Sequence, residues 1–112
     1  MIIESENIGD ITVVQIDGKL DVHSTPVFME FAEKLMKDGR YKLVIDMKLT
    51  EFISSYGLGA FASILRNSQA NGGNVALASL NPDIKTPFEV TGLLSKFGVF
   101  TGRDDAVKSF SK

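Results

Sequence analysis

Short apolar runs along the chain predict the strands of a sheet. Residues 11–16 are rich in β-branched side chains and precede Asp17-Gly18, so we expect a strand that ends there in a turn. Residues 2–6 are expected to form a shorter strand that pairs with it. Three further strands are predicted at the apolar runs of residues 43–45, 75–78 and 97–100. The first of these three is apolar without alternation, which is typical of a buried parallel strand.

Between these runs, apolar residues recur at the i, i+3, i+4, i+7 spacing of an amphipathic helix. One such face comprises Phe28, Phe31, Ala32 and Leu35, and a second comprises Leu58, Phe61, Ala62 and Leu65. The first helix is expected to begin at Ser24 or Thr25, ahead of Pro26, and to end at Gly39.

The second helix is expected to begin at Ser54 or Ser55 and to run to Asn71, where Gly72 and Gly73 stop it. A third helix is expected to begin at Asn81, and Pro87 is predicted to interrupt or restart it. Residues 104–110 are predicted to form a fourth, short helix.

The segment that joins the third strand to the second helix, residues 48–54, is interpreted as a loop with Leu49, Phe52 and Ile53 turned inward. The predicted order of elements is then β-β-α-β-α-β-α-β-α. Strands that alternate with helices predict an α/β fold, in which a mixed sheet flanked by four helices is wound as a β-α superhelix. With no linker or internal repeat, the chain is expected to form a single domain, residues 1–112.

Composition and charge argue against several classes of function. The net charge is −2 and no cluster of Lys or Arg is present, so nucleic-acid binding is not expected. The chain has no cysteine, which removes disulfides and thiolate metal ligands and is consistent with a reducing compartment. The acidic start does not resemble a signal peptide, and no apolar run reaches the roughly 18 residues of a membrane helix. We therefore expect a cytoplasmic protein that does not bind membranes.

Catalytic chemistry has little support in the sequence. The one histidine, His23, cannot by itself build a hydrolytic triad or a multi-histidine metal site, and it is interpreted as a turn or surface residue. The Gly57-Leu58-Gly59 segment lacks the additional glycine or lysine of a phosphate-binding loop. No catalytic residue, metal or cofactor is predicted, and the chain is expected not to be an enzyme.

The most informative segment is the start of the second helix, where Ser54 and Ser55 are followed by Tyr56, Gly57 and Gly59. Either serine can cap the helix by accepting a hydrogen bond from a backbone N–H two or three residues later. Each glycine costs up to about 1 kcal/mol relative to alanine inside a helix, but its small size lets another backbone or a bulky partner come close. Since a cap needs one hydroxyl and no glycine, a further role is predicted for this segment.

The same segment resembles the signature of STAS domains, above all that of the bacterial anti-sigma factor antagonists. Their pattern is an apolar strand that ends in Asp, a loop, and then aromatic-apolar-Asp-Ser-small-Gly-Leu-Gly, to which residues 44–46 and 52–59 are similar. Residues 18–21, Gly-Lys-Leu-Asp, resemble the Gly-x-Leu-Asp that follows the second strand in the family. Residues 91–94 resemble its late Gly-Leu-apolar segment, so the resemblance spans nearly the whole chain.

The resemblance implies a function and a set of site residues. In the family, the serine two positions before the first glycine is phosphorylated by an anti-sigma factor that is itself a serine kinase. The unphosphorylated form binds that kinase and frees the sigma factor, and a protein phosphatase resets the cycle. The corresponding residue here is Ser55. The implied partner-binding residues are Asp21, His23, Ser24, Ser54, Tyr56, Gly57, Leu58 and Gly59. The free protein is expected to be a monomer.

The sequence departs from the family pattern at two positions. Ser54 stands where the family usually has Asp, which makes it a rival phosphate acceptor, and Tyr56 stands where the family has a small residue. Some STAS proteins are never phosphorylated and serve as scaffold or docking modules, for example of a lipid-transport ATPase, and this function remains open. A small enzyme with Ser54 or Ser55 as its nucleophile is a third reading, which the lack of a nearby base disfavours.

Overall fold

A computed structural model describes residues 1–111, which form six strands and four helices. The strands are β1 (Ile2–Ile8), β2 (Ile11–Leu20), β3 (Lys42–Asp46), β4 (Thr50–Ile53), β5 (Asn74–Ala78) and β6 (Gly98–Phe100). The helices are α1 (Thr25–Lys37), α2 (Ser55–Ala70), α3 (Pro82–Val90) and α4 (Arg103–Lys108), and a 3-10 turn at Leu94–Lys96 precedes β6. The predicted α/β fold with four helices is confirmed.

The strands form a mixed sheet, as the sequence predicted. Its order is β1-β2-β3-β5-β6, with β1 antiparallel to β2 and the remaining neighbours parallel. The long strand β2 pairs with β3 along residues 11–15 and with β4 along residues 18–20. Strand β4 therefore takes the place of β3 beside the second half of β2, and its end delivers the chain into α2.

Helices cover both faces of the sheet. On one face, α1, α2 and α3 meet around Phe61 of α2, whose ring centroid lies 5.1 Å from that of Phe28 in α1 and 5.3 Å from that of Phe88 in α3. On the other face, α4 packs through Ala106 against strand residues that include Val13. Burial on both faces explains why the parallel strands are apolar without alternation.

An ion pair between the partly exposed Arg103 and a buried carboxylate ties α4 to the end of β3. The carboxylate of Asp46 is 6% exposed, and its Oδ2 accepts hydrogen bonds from Nη2 of Arg103 at 2.9 Å and from Nε at 3.1 Å. The other oxygen, Oδ1, accepts from the backbone N–H of Lys48 at 3.0 Å. These bonds satisfy the carboxylate and fix the turn that leads into β4.

Residues 48–54 correct one prediction from the sequence. They are not a loop throughout, because Thr50–Ile53 forms β4, parallel to the end of β2. Ile53 is buried as predicted, whereas Leu49 and Phe52 are 43% and 48% exposed, so their predicted inward orientation is wrong. Consecutive residues of a strand point to opposite faces, and this is why Phe52 cannot share the orientation of Ile53.

The turn predicted at Asp17-Gly18 is also absent, since β2 continues through it to Leu20. Gly18 has a φ of +111°, and the register with β4 shifts between Gly18 and Lys19. The pairing passes from Thr50 to Phe52 at this point, so the extra residue, Glu51, lies on β4, and β2 continues past Gly18 without ending.

Helix α3 runs through Pro87 without a break, so the predicted interruption is wrong. Proline removes one backbone hydrogen bond and crowds the preceding turn. Ile84 and Phe88 are fully buried on the same helix, and their packing holds it in place despite this loss.

Candidate functional site

The start of α2 is fixed by hydrogen bonds to the helix itself and to the sheet. Ser54 is the N-cap residue, and its Oγ accepts a hydrogen bond from the backbone N–H of Gly57 at 3.2 Å. The Ser54 carbonyl accepts from the N–H of Leu58 at 3.0 Å, and the Ser54 N–H donates to the carbonyl of Leu20 at 2.9 Å. Because Leu20 ends β2, the sheet sets the position of the next residue, Ser55.

The two candidate hydroxyls therefore differ in their surroundings. Ser54 is half-buried and its oxygen is engaged in the helix cap. Ser55, the first residue of α2, is exposed, and the neighbouring Tyr56 is 67% exposed. An external protein can reach Ser55 more easily than Ser54.

The electrostatic field at Ser55 is that of a helix N-terminus. The first N–H groups of a helix have no carbonyl partner within it and carry a partial positive charge. The first turn of α2, all of which lies in the described part of the chain, contains no acidic side chain that would offset this charge. A phosphate on Ser55 would be placed in a favourable field.

The turn between β2 and α1 lies beside this helix start and is held by its own side chains. One carboxylate oxygen of Asp21 accepts hydrogen bonds from the backbone N–H groups of Ser24 and His23, both at 2.9 Å. These two hydrogen bonds lower the pKa of Asp21 below its ordinary value, and the bond from Ser24 has the larger effect. Ser24 Oγ accepts from the Asp21 N–H at 3.0 Å and donates to the carbonyl of Lys19 at 2.5 Å. Asp21 and Ser24 therefore shape the turn, and His23 is exposed on it.

Two of the predicted contact residues lie in the interior, which corrects their assignment to the partner surface. Gly57 is buried, and a Cβ at this position would lie 2.7 Å from Cγ1 of Ile53 and 3.4 Å from Cβ of Leu20. Leu58 is only 7% exposed and belongs to the core. The small size of Gly57 serves a close approach within the protein. Gly59 is different, because it is exposed and its Cβ would have no described atom within 4 Å apart from its chain neighbours and the adjacent backbone of α2.

Helix α1 contributes to the same surface, which the pattern of residues did not predict. A groove between α1 and α2 is lined by Ser55 and Tyr56 from α2 and by Pro26, Glu30 and Glu33 from α1. These α1 residues follow the i, i+4, i+7 spacing of one helix face. The spacing is visible in the sequence, but only the packing of the two helices shows that this face borders Ser55.

Metal-binding clusters and membrane-spanning helices are both absent from residues 1–111. No three His, Cys, Asp or Glu side chains are grouped there so as to hold a metal ion. None of the four helices has the length and apolar character needed to cross a bilayer.

Comparison with known proteins identifies the family. The STAS domain profile matches residues 3–106. The anti-sigma-B factor antagonist of Bacillus subtilis (strain 168) is 34% identical over 88 residues, which cover 79% of this chain and 79% of that protein.

Solved structures show the same fold. The crystal structure of an anti-sigma factor antagonist from Mycobacterium paratuberculosis has a TM-score of 0.90 at 24% identity, covering 99% of this chain and 94% of that one. The Bacillus cell fate determinant SpoIIAA in its phosphorylated form has a TM-score of 0.78 at 18% identity, covering 97% of this chain and 99% of that one. From the matched profile and the shared fold, the chain belongs to the STAS domain family.

Proposed function

We propose that this chain is an anti-sigma factor antagonist that works by partner switching. In its unmodified form it binds an anti-sigma factor that is a serine kinase, and that anti-sigma factor then releases its sigma factor. The kinase transfers the γ-phosphoryl group of ATP to Oγ of Ser55, and the phosphorylated chain dissociates. A protein phosphatase restores the hydroxyl. The chain itself supplies a binding surface and an acceptor, and no catalytic group.

The exposure of Ser55 at the N-terminus of α2 carries the proposal. A kinase has to bring a phosphoryl group into line with the acceptor oxygen, so the acceptor must be accessible. Ser54 is a poorer acceptor, because its Oγ already accepts the Gly57 N–H and modifying it would disturb the cap. Serine and aspartate are both good N-caps, so Ser54 keeps the capping ability of the aspartate usual in the family.

The relatives support the same function. The B. subtilis relative is named an anti-sigma-B factor antagonist. SpoIIAA has been solved in a phosphorylated form, so in that protein the fold accommodates a phosphate.

The charge of a phosphate explains how one modification would change binding without unfolding the chain. Phosphorylation adds about −1.5 to −2 charges at neutral pH, and a helix N-terminus favours an anion by about 0.3–1 kcal/mol. Inside the complex, the same phosphate faces the phosphates of the nucleotide that the kinase still holds. If repulsion between these phosphates lowers the binding free energy by about 3 kcal/mol, the affinity for the kinase falls more than a hundredfold.

Intact-mass measurement tests the proposal. The purified chain, Ser55→Ala and Ser54→Ala are each incubated with ATP and a serine-kinase anti-sigma factor from the same genome. We expect the wild type and Ser54→Ala to gain one phosphate and Ser55→Ala to gain none. A gain that is lost only in Ser54→Ala would move the acceptor to Ser54.

The absence of any phosphate on the wild type, in the presence of a kinase that binds it, would favour an unphosphorylated docking module instead. Hydrolysis of generic ester substrates, abolished by Ser55→Ala, would point to an enzyme.

A further inference from the structure

The α1–α2 groove extends away from Ser55 along the two helices. Its floor and walls include Pro26, Met29, Glu30, Glu33, Tyr56 and Gly59. Transfer of a phosphate to Ser55 requires none of these side chains, so their arrangement at the surface needs a separate explanation.

The groove combines an apolar floor with an acidic rim. Glu30 and Glu33 are exposed on α1, and within residues 1–111 neither carboxylate forms an ion pair. No Lys, Arg or His lines the groove among the described residues. Two negative charges therefore border apolar surface from Met29 and Tyr56.

The groove is also open where α2 could have closed it. Apart from its chain neighbours and the adjacent backbone of α2, no described atom lies within 4 Å of the position that a Cβ of Gly59 would occupy. A Cβ at this position would stand in open space at the groove. Glycine here keeps space for a side chain from outside.

A protein that reaches Ser55 will also cover this groove. A standard interface buries about 800 Å² on each partner, which is a disc of about 16 Å radius. The groove runs from Ser55 to Ser63 along α2, a length of about 12 Å at 1.5 Å per residue. The whole groove lies within the footprint of a kinase centred on Ser55.

From these observations we infer that the α1–α2 groove receives a segment of the serine-kinase anti-sigma factor in which an apolar side chain is flanked by Lys or Arg. The inference rests on the proposed function and adds the chemistry by which the partner is recognised. The cations of the partner pair with Glu30 and Glu33, and its apolar side chain fills the space above Gly59. A second copy of this chain fits poorly, because the same two carboxylates would face each other, and an anionic lipid surface would be repelled by them.

Affinity measurements with two groove variants test the inference. The probe is the same serine-kinase anti-sigma factor, titrated by calorimetry against wild type, Glu30→Lys/Glu33→Lys and Gly59→Leu. Glu4→Lys/Glu89→Lys and Ala70→Leu are matched controls, since all three positions are exposed and lie outside the groove.

We expect each groove variant to bind at least tenfold more weakly than wild type and each control to bind within twofold of it. The charge-reversal effect should shrink as salt is raised from about 50 mM to 500 mM, because screening weakens exposed charge pairs. Both groove variants should still gain a phosphate at high kinase concentration, since Ser55 is unchanged.

The outcomes separate the inference from the proposed function. If the kinase binds and phosphorylates Ser55 but both groove variants bind within twofold of wild type, the groove inference is wrong and the proposed function stands. If the kinase does not bind the wild-type chain, both are wrong. The affinity of Gly59→Leu counts only if this variant has the same thermal melt as wild type. If its melt differs, the affinity of Glu30→Lys/Glu33→Lys alone tests the groove inference.

Discussion

Replacement of Gly57 by alanine tests how tightly the first turn of α2 is held against the sheet. A Cβ at this position would lie 2.7 Å from Cγ1 and 3.3 Å from Cδ1 of Ile53, and 3.4 Å from Cβ of Leu20. Carbon atoms in favourable contact stand about 3.5–4.0 Å apart, and Ile53 is only 5% exposed, so its side chain has little room to move. Overpacking of this kind costs about 1–3 kcal/mol.

Gly59→Ala is the matched control for this substitution. Gly59 lies two residues later in the same helix, and its Cβ would have no described atom within 4 Å apart from its chain neighbours and the adjacent backbone of α2. Both substitutions gain up to about 1 kcal/mol of helix propensity, so the difference between them isolates the contact with Ile53. We expect Gly57→Ala to be less stable than Gly59→Ala by about 1–3 kcal/mol, with Gly59→Ala at least as stable as wild type.

Urea unfolding followed by far-UV circular dichroism measures this difference in the free energy of unfolding. Thermal melts give a second measure, since 1 kcal/mol shifts the Tm of a domain near this size by roughly 4–8 °C. Equal stability of the two variants would refute the close contact between Gly57 and Ile53. The assignment of Gly57 to the support of the site would then be lost.

Four further substitutions test the helix cap, the ion pair and the turn before α1. Ser54→Ala removes the N-cap side chain of α2 and is expected to lower the free energy of unfolding by about 0.5–2 kcal/mol. Ser55→Ala, at an exposed position, should change the free energy of unfolding by less than about 0.5 kcal/mol. Equal effects of the two substitutions in urea unfolding would contradict the assigned roles. Arg103→Met leaves the buried carboxylate of Asp46 with only a backbone donor and is expected to lower the free energy of unfolding by about 1–3 kcal/mol. An unchanged free energy of unfolding would show that the ion pair contributes nothing to stability. The folded pKa of Asp21 is lowered, so its carboxylate contributes stability that is present above about pH 4 and is lost as the pH falls through the folded pKa. Asp21→Asn should therefore flatten the pH dependence of unfolding below about pH 4, and an unchanged profile would contradict the hydrogen-bonded turn.

The helices could be predicted from the sequence because their signals act over a few residues. A serine cap and a following pair of glycines set the ends of α2, and Pro26 and Gly39 mark the ends of α1. The apolar spacing on both helices reports the face that packs on the sheet. Each of these signals is local, so the ends and the buried face of each helix do not depend on the rest of the fold.

Strand β4 could not be predicted in the same way, because its partner is distant in the sequence. It pairs with residues 18–20, about thirty residues earlier, and only Thr50 and Ile53 of its four residues are buried. Gly18 gave a misleading signal, since a glycine with positive φ occurs in turns and also inside an irregular strand. Only the pairing of β2 with β4 distinguishes the two.

The site was predicted in part. The motif resemblance identified the segment around Ser55, and the structure places that residue at an exposed helix start. Which motif residues face outward depends on packing, and Gly57 and Leu58 face inward because α2 rests on Ile53 and the sheet. The groove wall from α1 depends on how two helices pack, which the spacing of residues within either helix does not reveal.

The central claim is that a phosphate on Ser55 prevents binding of the kinase while the fold is kept. The most direct test is calorimetric titration of the ADP-bound kinase with the unmodified chain and with the chain phosphorylated on Ser55. We predict that phosphorylation weakens the Kd more than a hundredfold, with the circular dichroism spectrum unchanged and the Tm not lowered. Equal affinity of the two forms, or a loss of affinity that is accompanied by unfolding, would contradict the claim.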